Sequence, residues 1–138
     1  MHAIRWKVLV IDDSSEIQEM ISSLLATLGY QSACCASRDV ALSEMSSIAP
    51  DLVLMDLSMP GMALDEFLAH GKAEHPQTRL VLYSAGDAES EAQKHGIKYW
   101  VSKPFNIMRL AMVLAKCVDD GAAGQLQSVR MEHELVAV

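Results

Sequence analysis

Five short aliphatic runs alternate along this chain with segments whose apolar residues recur at the spacing of one α-helix face. The runs lie at residues 7–11, 30–35, 51–55, 79–84 and 99–102. Nearly continuous apolar strands separated by helices indicate a parallel sheet covered on both faces, because each crossover connection lays a helix against the sheet. The sequence therefore predicts an α/β fold with five strands and five helices. The run at 30–35 is the least hydrophobic, which favours an edge position for it.

Capping and helix-breaking residues bracket the helical segments. From Ile17 onward, apolar residues follow the i, i+3, i+4, i+7, i+8, i+11 pattern of one helix face, with Ser14 or Ser15 as the cap and Gly29 at the end. We expect further helices between Ser37 and Pro50, from about Ala63 to Glu74, at 87–95, and at 107–118 after an Asn106 cap. The helix between Ser37 and Pro50 is expected to carry Val40, Leu42, Met45 and Ile48 as its apolar residues.

The composition limits the classes of function open to the chain. Its 138 residues suit a single domain. With 18 acidic residues against 11 Lys and Arg, direct nucleic-acid binding is disfavoured, because phosphate contacts require clustered positive charge. No apolar stretch approaches the roughly 20 residues of a membrane span, and no signal peptide is recognisable, so we expect a cytoplasmic protein. The three cysteines lack metal or disulfide spacing and are expected to be small buried residues.

The predicted strands end in polar residues, and strand carboxyl ends are where open parallel sheets bind ligands. These residues are Asp12, Asp13, Asp56, Ser84 and Lys103, the last of which is followed by Pro104. At ~5 Å and an effective dielectric of ~20, each pair of carboxylates would repel by about 3 kcal/mol, so the cluster requires raised pKa values or a cation. Carboxylates, a hard cation such as Mg²⁺, a hydroxyl and a lysine together provide what phosphoryl transfer to a carboxylate needs.

Four stretches resemble the receiver domain of the response regulators of two-component signalling. They are "VLVIDD", "DLVLMDLSMPGM", "YSA" and "VSKPF", in that order at the ends of strands one, three, four and five. The resemblance covers about residues 5–119 and implies a (βα)5 doubly wound parallel sheet, flavodoxin-like (CheY-like), with strand order 2-1-3-4-5. Residues 120–138 would then form a C-terminal linker or helical tail. In that tail a weak heptad spacing joins Leu126, Val129, His133 and Val136.

The resemblance also implies roles for the residues at the strand ends. Asp56, as the exposed last residue of the third strand, would be the phosphoacceptor for a sensor histidine kinase or a phosphotransfer protein. Asp13 would bind Mg²⁺ (or Mn²⁺) directly and Asp12 mainly through water. Asp56 and the backbone carbonyl of Ser58 would complete the protein ligands. Lys103 would bind a phosphoryl oxygen.

A conformational switch is implied as well. Ser84 would move toward the phosphoryl group, and Trp100 would rotate into the space that Ser84 leaves. That rotation would repack the surface of helix four, strand five and helix five, and so change partner binding or dimerisation. A cis peptide bond at Pro104 would aim Lys103 into the site. The chain would thus be a signalling module rather than a turnover enzyme, with an output domain implied after the tail.

Two departures from the family pattern stand out. Ala63 and Leu64 replace the Asp-Gly that commonly follows "PGM", so the start of helix three should be altered. The chain is about three residues short between Ser84 and Lys103, which predicts a shorter fourth helix.

Three other functions remain open: an unphosphorylated receiver-like scaffold, an aspartyl-nucleophile phosphatase, and a flavin-binding protein. The phosphatase needs an acid at the position of Ser58, which weighs against it. The flavin-binding protein needs a Ser/Thr-rich loop where this chain has Asp12-Asp13, which weighs against that function.

Overall fold

The five strands form one parallel sheet in a computed structural model that describes residues 5–104 and 106–130. The strands are β1 (Lys7–Ile11), β2 (Gln31–Cys35), β3 (Leu52–Asp56), β4 (Arg79–Ser84) and β5 (Trp100–Ser102). The helices are α1 (Ser15–Thr27), α2 (Arg38–Ile48), α3 (Leu64–Glu74), α4 (Ala88–Lys94) and α5 (Ile107–Asp119). The strand order β2-β1-β3-β4-β5 confirms the predicted α/β topology, with β2 at an edge. Among these residues, no helix has both the length and the apolar character needed to cross a membrane.

Alternate side chains of the central strands point into two separate cores. On one face, Leu9, Ile11, Val53 and Met55 pack with residues of α2, α3 and α4. On the other face, Val8, Val10, Leu52 and Leu54 pack with residues of α1 and α5. Because both faces are covered, the central strands β1, β3 and β4 are apolar almost throughout, and polar residues collect where the strands end.

The predicted helix caps are present. The Ser14 hydroxyl accepts a hydrogen bond from the Ile17 amide, and the Ser37 hydroxyl accepts one from the Val40 amide. Asn106 caps α5 in the same way. At α3, Ala63 occupies the cap position without a side-chain hydrogen bond, which is the altered helix start that its sequence predicts. The fourth helix has only seven residues, in line with the short segment before Lys103.

Two expectations about burial are wrong. Val40 is 44% exposed, whereas α2 buries the predicted Met45 together with Arg38 and Ala41. The other three predicted apolar residues of α2 do face the core, since Met45 is buried in it and Leu42 and Ile48 pack against it half-buried. Of the cysteines, Cys35 and Cys117 are buried but Cys34 is exposed, since neighbouring residues of β2 point to opposite faces of the sheet and, of the two, only Cys35 belongs to a core.

The described part of the tail folds back onto the domain. Residues 121–124 and 126–128 form two short 3₁₀ turns, and Gln125 pairs with Arg79 at the start of β4. Leu126 is fully buried and Val129 nearly so, both within the core beneath α2, α3 and α4. Their heptad-like spacing is therefore not a helical seam, because their side chains fill this domain's own core. His133 and Val136 lie outside the described residues.

Candidate functional site

Three aspartates meet where β1 and β3 end. Ile11 and Met55 are register partners on these neighbouring strands, so the residues that follow them, Asp12 and Asp56, lie side by side. One carboxylate oxygen of each, and one of Asp13, all lie within 4.8 Å of one another. Asp13 is exposed, whereas Asp12 and Asp56 are buried. The expectation that Asp56 is exposed is wrong: only 6% of it reaches solvent, because the loop after β3 and the neighbouring strands enclose it.

The carboxylate of Asp56 has one partner on each oxygen. The Ser58 amide, from the exposed loop after β3, donates to Oδ1 at 3.2 Å, and the Lys103 ammonium donates to Oδ2 at 3.3 Å. Burial raises the pKa of Asp56 above its ordinary value, and the charge of Asp12 adds to that rise. The Ser58 hydrogen bond and the Lys103 charge act in the opposite direction. The site thus holds more negative charge than its own lysine neutralises.

Ser84 and Lys103 are joined through the backbone at the ends of β4 and β5. Ser84 is buried, and the Lys103 amide donates to its carbonyl oxygen at 2.7 Å. The Ser84 hydroxyl accepts a hydrogen bond from the Gly86 amide at 3.1 Å. The Lys103–Pro104 peptide bond is cis. Both side chains therefore stand at the same edge of the sheet as the aspartates.

Trp100 lies farther from the acidic cluster. It begins β5, pairs with Leu82, and is half-buried against the core beneath α2, α3 and α4. With Lys98, Arg109 and Met112 it lines a groove of about 430 Å³ between β5 and α5. The structure brings together the aspartates, Ser84 and Lys103, but Trp100 stands outside that group, and its switching role stays a prediction.

The sequence reasoning missed Tyr83, which precedes Ser84 in β4. Its side chain is fully buried, and its hydroxyl donates a 2.5 Å hydrogen bond to Asp12 Oδ2. The Lys103 ammonium lies 4.9 Å from the centre of its ring. Burial raises the pKa of the Tyr83 phenol, and the hydrogen bond to Asp12 raises it further, so the hydroxyl remains a donor. The sequence carries one sign of this contact, a tyrosine within an aliphatic strand, because a buried phenol needs a polar partner.

Arg38 was missed as well. It is only 3% exposed, and its guanidinium donates to the carbonyl oxygens of Leu57 and Met62 at 2.9 Å each. A longer bond, 3.3 Å, reaches the carbonyl of Asp56. Burial lowers the pKa of Arg38 while the charge of Asp56 opposes that change; an arginine nevertheless keeps its charge in a protein. A permanent cation therefore supports the loop that begins at the acidic cluster.

The donor set at the cluster fits a hard divalent cation. Its ligand atoms are carboxylate oxygens from Asp12, Asp13 and Asp56, and it includes neither cysteine nor histidine. Mg²⁺ prefers oxygen ligands, uses few protein carboxylates and keeps several waters. The exposure of Asp13 leaves one side of the cluster accessible to such waters. The arrangement can hold a cation and place a lysine beside a buried carboxylate.

Comparison with known proteins gives one consistent match. A family model described as the response regulator receiver domain matches residues 8–115. The chain is 30% identical over 130 residues to the regulatory protein AtoC of Escherichia coli (strain K12), covering 91% of this chain and 27% of AtoC. It is 28% identical over 114 residues to the chemotaxis protein CheY of Listeria monocytogenes, covering 80% of this chain and 96% of CheY.

The similarity extends to solved structures. The chemotaxis response regulator CheY4 of Vibrio cholerae superposes with a TM-score of 0.73 at 27% identity, covering 82% of this chain and 98% of CheY4. The chain spans about a quarter of the length of AtoC and of two other relatives, the nitrogen assimilation regulatory protein NtrX of Azorhizobium caulinodans and the response regulator protein FleR of Pseudomonas aeruginosa.

Proposed function

This chain belongs to the response regulator receiver domain family, and on that premise we propose that it accepts a phosphoryl group on Asp56 in a two-component phosphorelay. One observation carries the proposal: the Lys103 ammonium lies 3.3 Å from Oδ2 of Asp56, within a cluster of three convergent carboxylates. A lysine beside the acceptor and a cation site around it are what transfer of a negatively charged group to a carboxylate requires.

The transfer itself is a substitution at phosphorus. An oxygen of Asp56 attacks the phosphorus of a phosphohistidine on a sensor histidine kinase or a phosphotransfer protein. The phosphorus–nitrogen bond breaks, its electron pair stays with the imidazole, and an aspartyl phosphate forms. Lys103 offsets the charge of the phosphoryl group. The Ser58 amide donates to Oδ1 of Asp56, so Oδ2 is the oxygen that faces Lys103.

Asp12, Asp13, Asp56 and the backbone carbonyl of Ser58 would hold Mg²⁺ (or Mn²⁺). The bound ion would supply positive charge to the phosphoryl oxygens. Asp13 is the exposed member and suits direct binding. Asp12 is held on both oxygens, by the Ser14 amide at 2.8 Å and by the Tyr83 hydroxyl, which suits a role through an intervening water.

The signal passes from Asp56 to the surface of α4, β5 and α5. Ser84 turns toward the phosphoryl group, and Trp100, half-buried beside the groove between β5 and α5, changes its packing. The altered surface binds a partner or a second copy of the chain. The chain is a cytoplasmic signalling module rather than a turnover enzyme. An output domain is part of the proposal because AtoC, NtrX and FleR are each more than three times as long as this chain.

Chemical phosphorylation tests this function. Incubation with acetyl phosphate and Mg²⁺ should add one phosphoryl group, about 80 Da by intact-mass spectrometry. Asp56→Asn should remain unlabelled, and omission of the divalent ion should abolish labelling. Asp51→Asn is the matched control, because it removes an exposed carboxylate that directly precedes β3, at the opposite end of the strand from Asp56. An unlabelled parent protein would favour the unphosphorylated scaffold instead, whereas a labelled Asp56→Asn variant would mean that the acceptor is a residue other than Asp56.

A further inference from the structure

Tyr83 contacts two residues of the proposed phosphoacceptor site at once. Its hydroxyl donates to Asp12 Oδ2 at 2.5 Å, and its ring lies beneath the Lys103 ammonium at 4.9 Å from the centroid. In the sheet, Tyr83 is also the register partner of Asp56, and its carbonyl accepts a hydrogen bond from the Leu57 amide at 2.9 Å. A single buried side chain therefore links the ends of three strands.

The hydrogen bond from Tyr83 determines the orientation of Asp12. The Ser14 amide donates to Oδ1 of that carboxylate at 2.8 Å, and Tyr83 donates to Oδ2. With both oxygens held, the carboxylate plane cannot rotate, yet each oxygen retains a further lone pair for a water or an ion. Bonds from a hydroxyl to a carboxylate are short and strong, so this orientation is set before any ligand arrives.

We propose that Tyr83 is a positioning residue of the phosphoacceptor site: its hydroxyl orients Asp12 toward the cation, and its ring keeps the Lys103 ammonium beside Asp56. This role rests on the proposed function. It follows from the general rule that the outer partners of a metal-binding carboxylate tune the affinity for the ion. It also follows from preorganisation, because a lysine held in place needs no reordering when the phosphoryl group arrives.

Tyr83 also belongs to the core between the sheet, α1 and α5, so the test must separate positioning from packing. Tyr83→Phe keeps the ring and its volume and removes only the hydroxyl. Tyr83→Leu removes the ring beneath Lys103 as well. Tyr99→Phe is the matched control, because Tyr99 is also buried and its hydroxyl also donates to a carboxylate, that of Asp120. Tyr99 precedes β5, whereas the acidic cluster lies where the strands end.

The measurement is Mg²⁺ affinity of the full chain by isothermal titration calorimetry, with urea unfolding to verify the fold. Tyr83→Phe should raise the dissociation constant for Mg²⁺ about tenfold, a typical effect of removing an outer partner of a metal ligand, whereas Tyr99→Phe should leave it unchanged. Labelling by acetyl phosphate should recover in Tyr83→Phe at saturating Mg²⁺. In Tyr83→Leu, labelling should stay slow at saturating Mg²⁺, because the ring beneath the Lys103 ammonium is gone.

A double-mutant cycle tests the route through Asp12. In an Asp12→Asn background, Tyr83→Phe should change the Mg²⁺ affinity no further. A full additional loss in that background would overturn the role of Tyr83, and so would wild-type affinity in the single variant. Failure of the proposed function looks different: the wild-type chain would bind Mg²⁺ but take up no phosphoryl group.

Discussion

At the scale of single residues, the unfavourable free energy of the acidic cluster is concentrated on Asp56. Its carboxylate is buried beside another buried carboxylate, and its pKa is raised by burial first and by Asp12 next. The partners that favour ionisation, the Ser58 amide and Lys103, offset that rise only in part. The charge that makes Asp56 a nucleophile therefore destabilises the folded domain until a cation is bound.

The raised pKa of Asp56 predicts that the difference in stability between the parent and Asp56→Asn depends on pH. A carboxyl group whose pKa is raised by folding stabilises the fold while protonated and loses that contribution as the pH rises through its folded pKa. Without divalent ions at neutral pH, Asp56→Asn should therefore have a higher free energy of unfolding than the parent. The gap should close as the pH falls below about 4, where both chains are neutral at this position. Urea unfolding across this pH range measures it.

Glu19→Gln serves as the control for this comparison, because it removes an exposed carboxylate from α1. It should change the free energy of unfolding little at any pH. Added Mg²⁺ should stabilise the parent and narrow its difference from Asp56→Asn. A parent protein more stable than Asp56→Asn at neutral pH without divalent ions would contradict the account of Asp56 given above.

At the scale of elements, the loop between β3 and α3 depends on a residue of α2. Arg38 donates to the carbonyl oxygens of Leu57, near the start of the loop, and Met62, near its end. The loop carries Ser58, the amide of which contacts Asp56. The orientation of α2 is thus coupled to the geometry of the acceptor, even though α2 supplies no residue to the acidic cluster.

We expect Arg38→Met to lower the free energy of unfolding by about 1–3 kcal/mol, because carbonyl oxygens beneath the loop lose their donor. Arg38→Lys should lose less, since lysine retains the charge but not the planar set of donors. Urea unfolding measures both effects. Arg109→Met, which changes an exposed arginine of α5, is the control and should have little effect. Full stability in Arg38→Met would show that the loop does not depend on the guanidinium.

At the scale of the whole molecule, the chain continues its packing past α5. It leaves the face of the sheet covered by α1 and α5, crosses the start of β4, and buries Leu126 and Val129 under α3 and α4. Gly71 of α3 permits the approach, because a Cβ there would lie 2.9 Å from a methyl group of Leu126. The Lys72 ammonium donates to the Val129 carbonyl at 2.9 Å. The last described residues therefore connect the packing on the two faces of the sheet.

Leu126→Ala should therefore destabilise the whole domain rather than a loose end. For a fully buried leucine we expect a loss of about 2–5 kcal/mol in the free energy of unfolding. The comparison variant is Met108→Ala, which truncates a side chain of α5 that is 72% exposed. Thermal or urea unfolding would distinguish the two. An equal, small effect in both variants would mean that the tail contributes nothing to the core.

The sequence alone determined the architecture and most of the site. Apolar runs with intervening helical spacing specify a parallel sheet, and parallel strands end at one edge, so Asp12, Asp56 and Lys103 had to converge. The helix caps were equally readable, because Ser14 and Ser37 act on amides three residues away. All of these inferences depend on local periodicity or on a rule that topology imposes.

Only the tertiary structure decided how the site is supported. Tyr83 and Asp12 are 71 positions apart, and Arg38 reaches carbonyls up to 24 positions away. Leu126 follows a spacing that resembles a helical seam, yet it fills a space left beside Gly71. Such contacts depend on the shapes and distances of elements after they have packed, and no local pattern encodes them. The same reason explains why Asp56, predicted to be exposed, is buried in the structure.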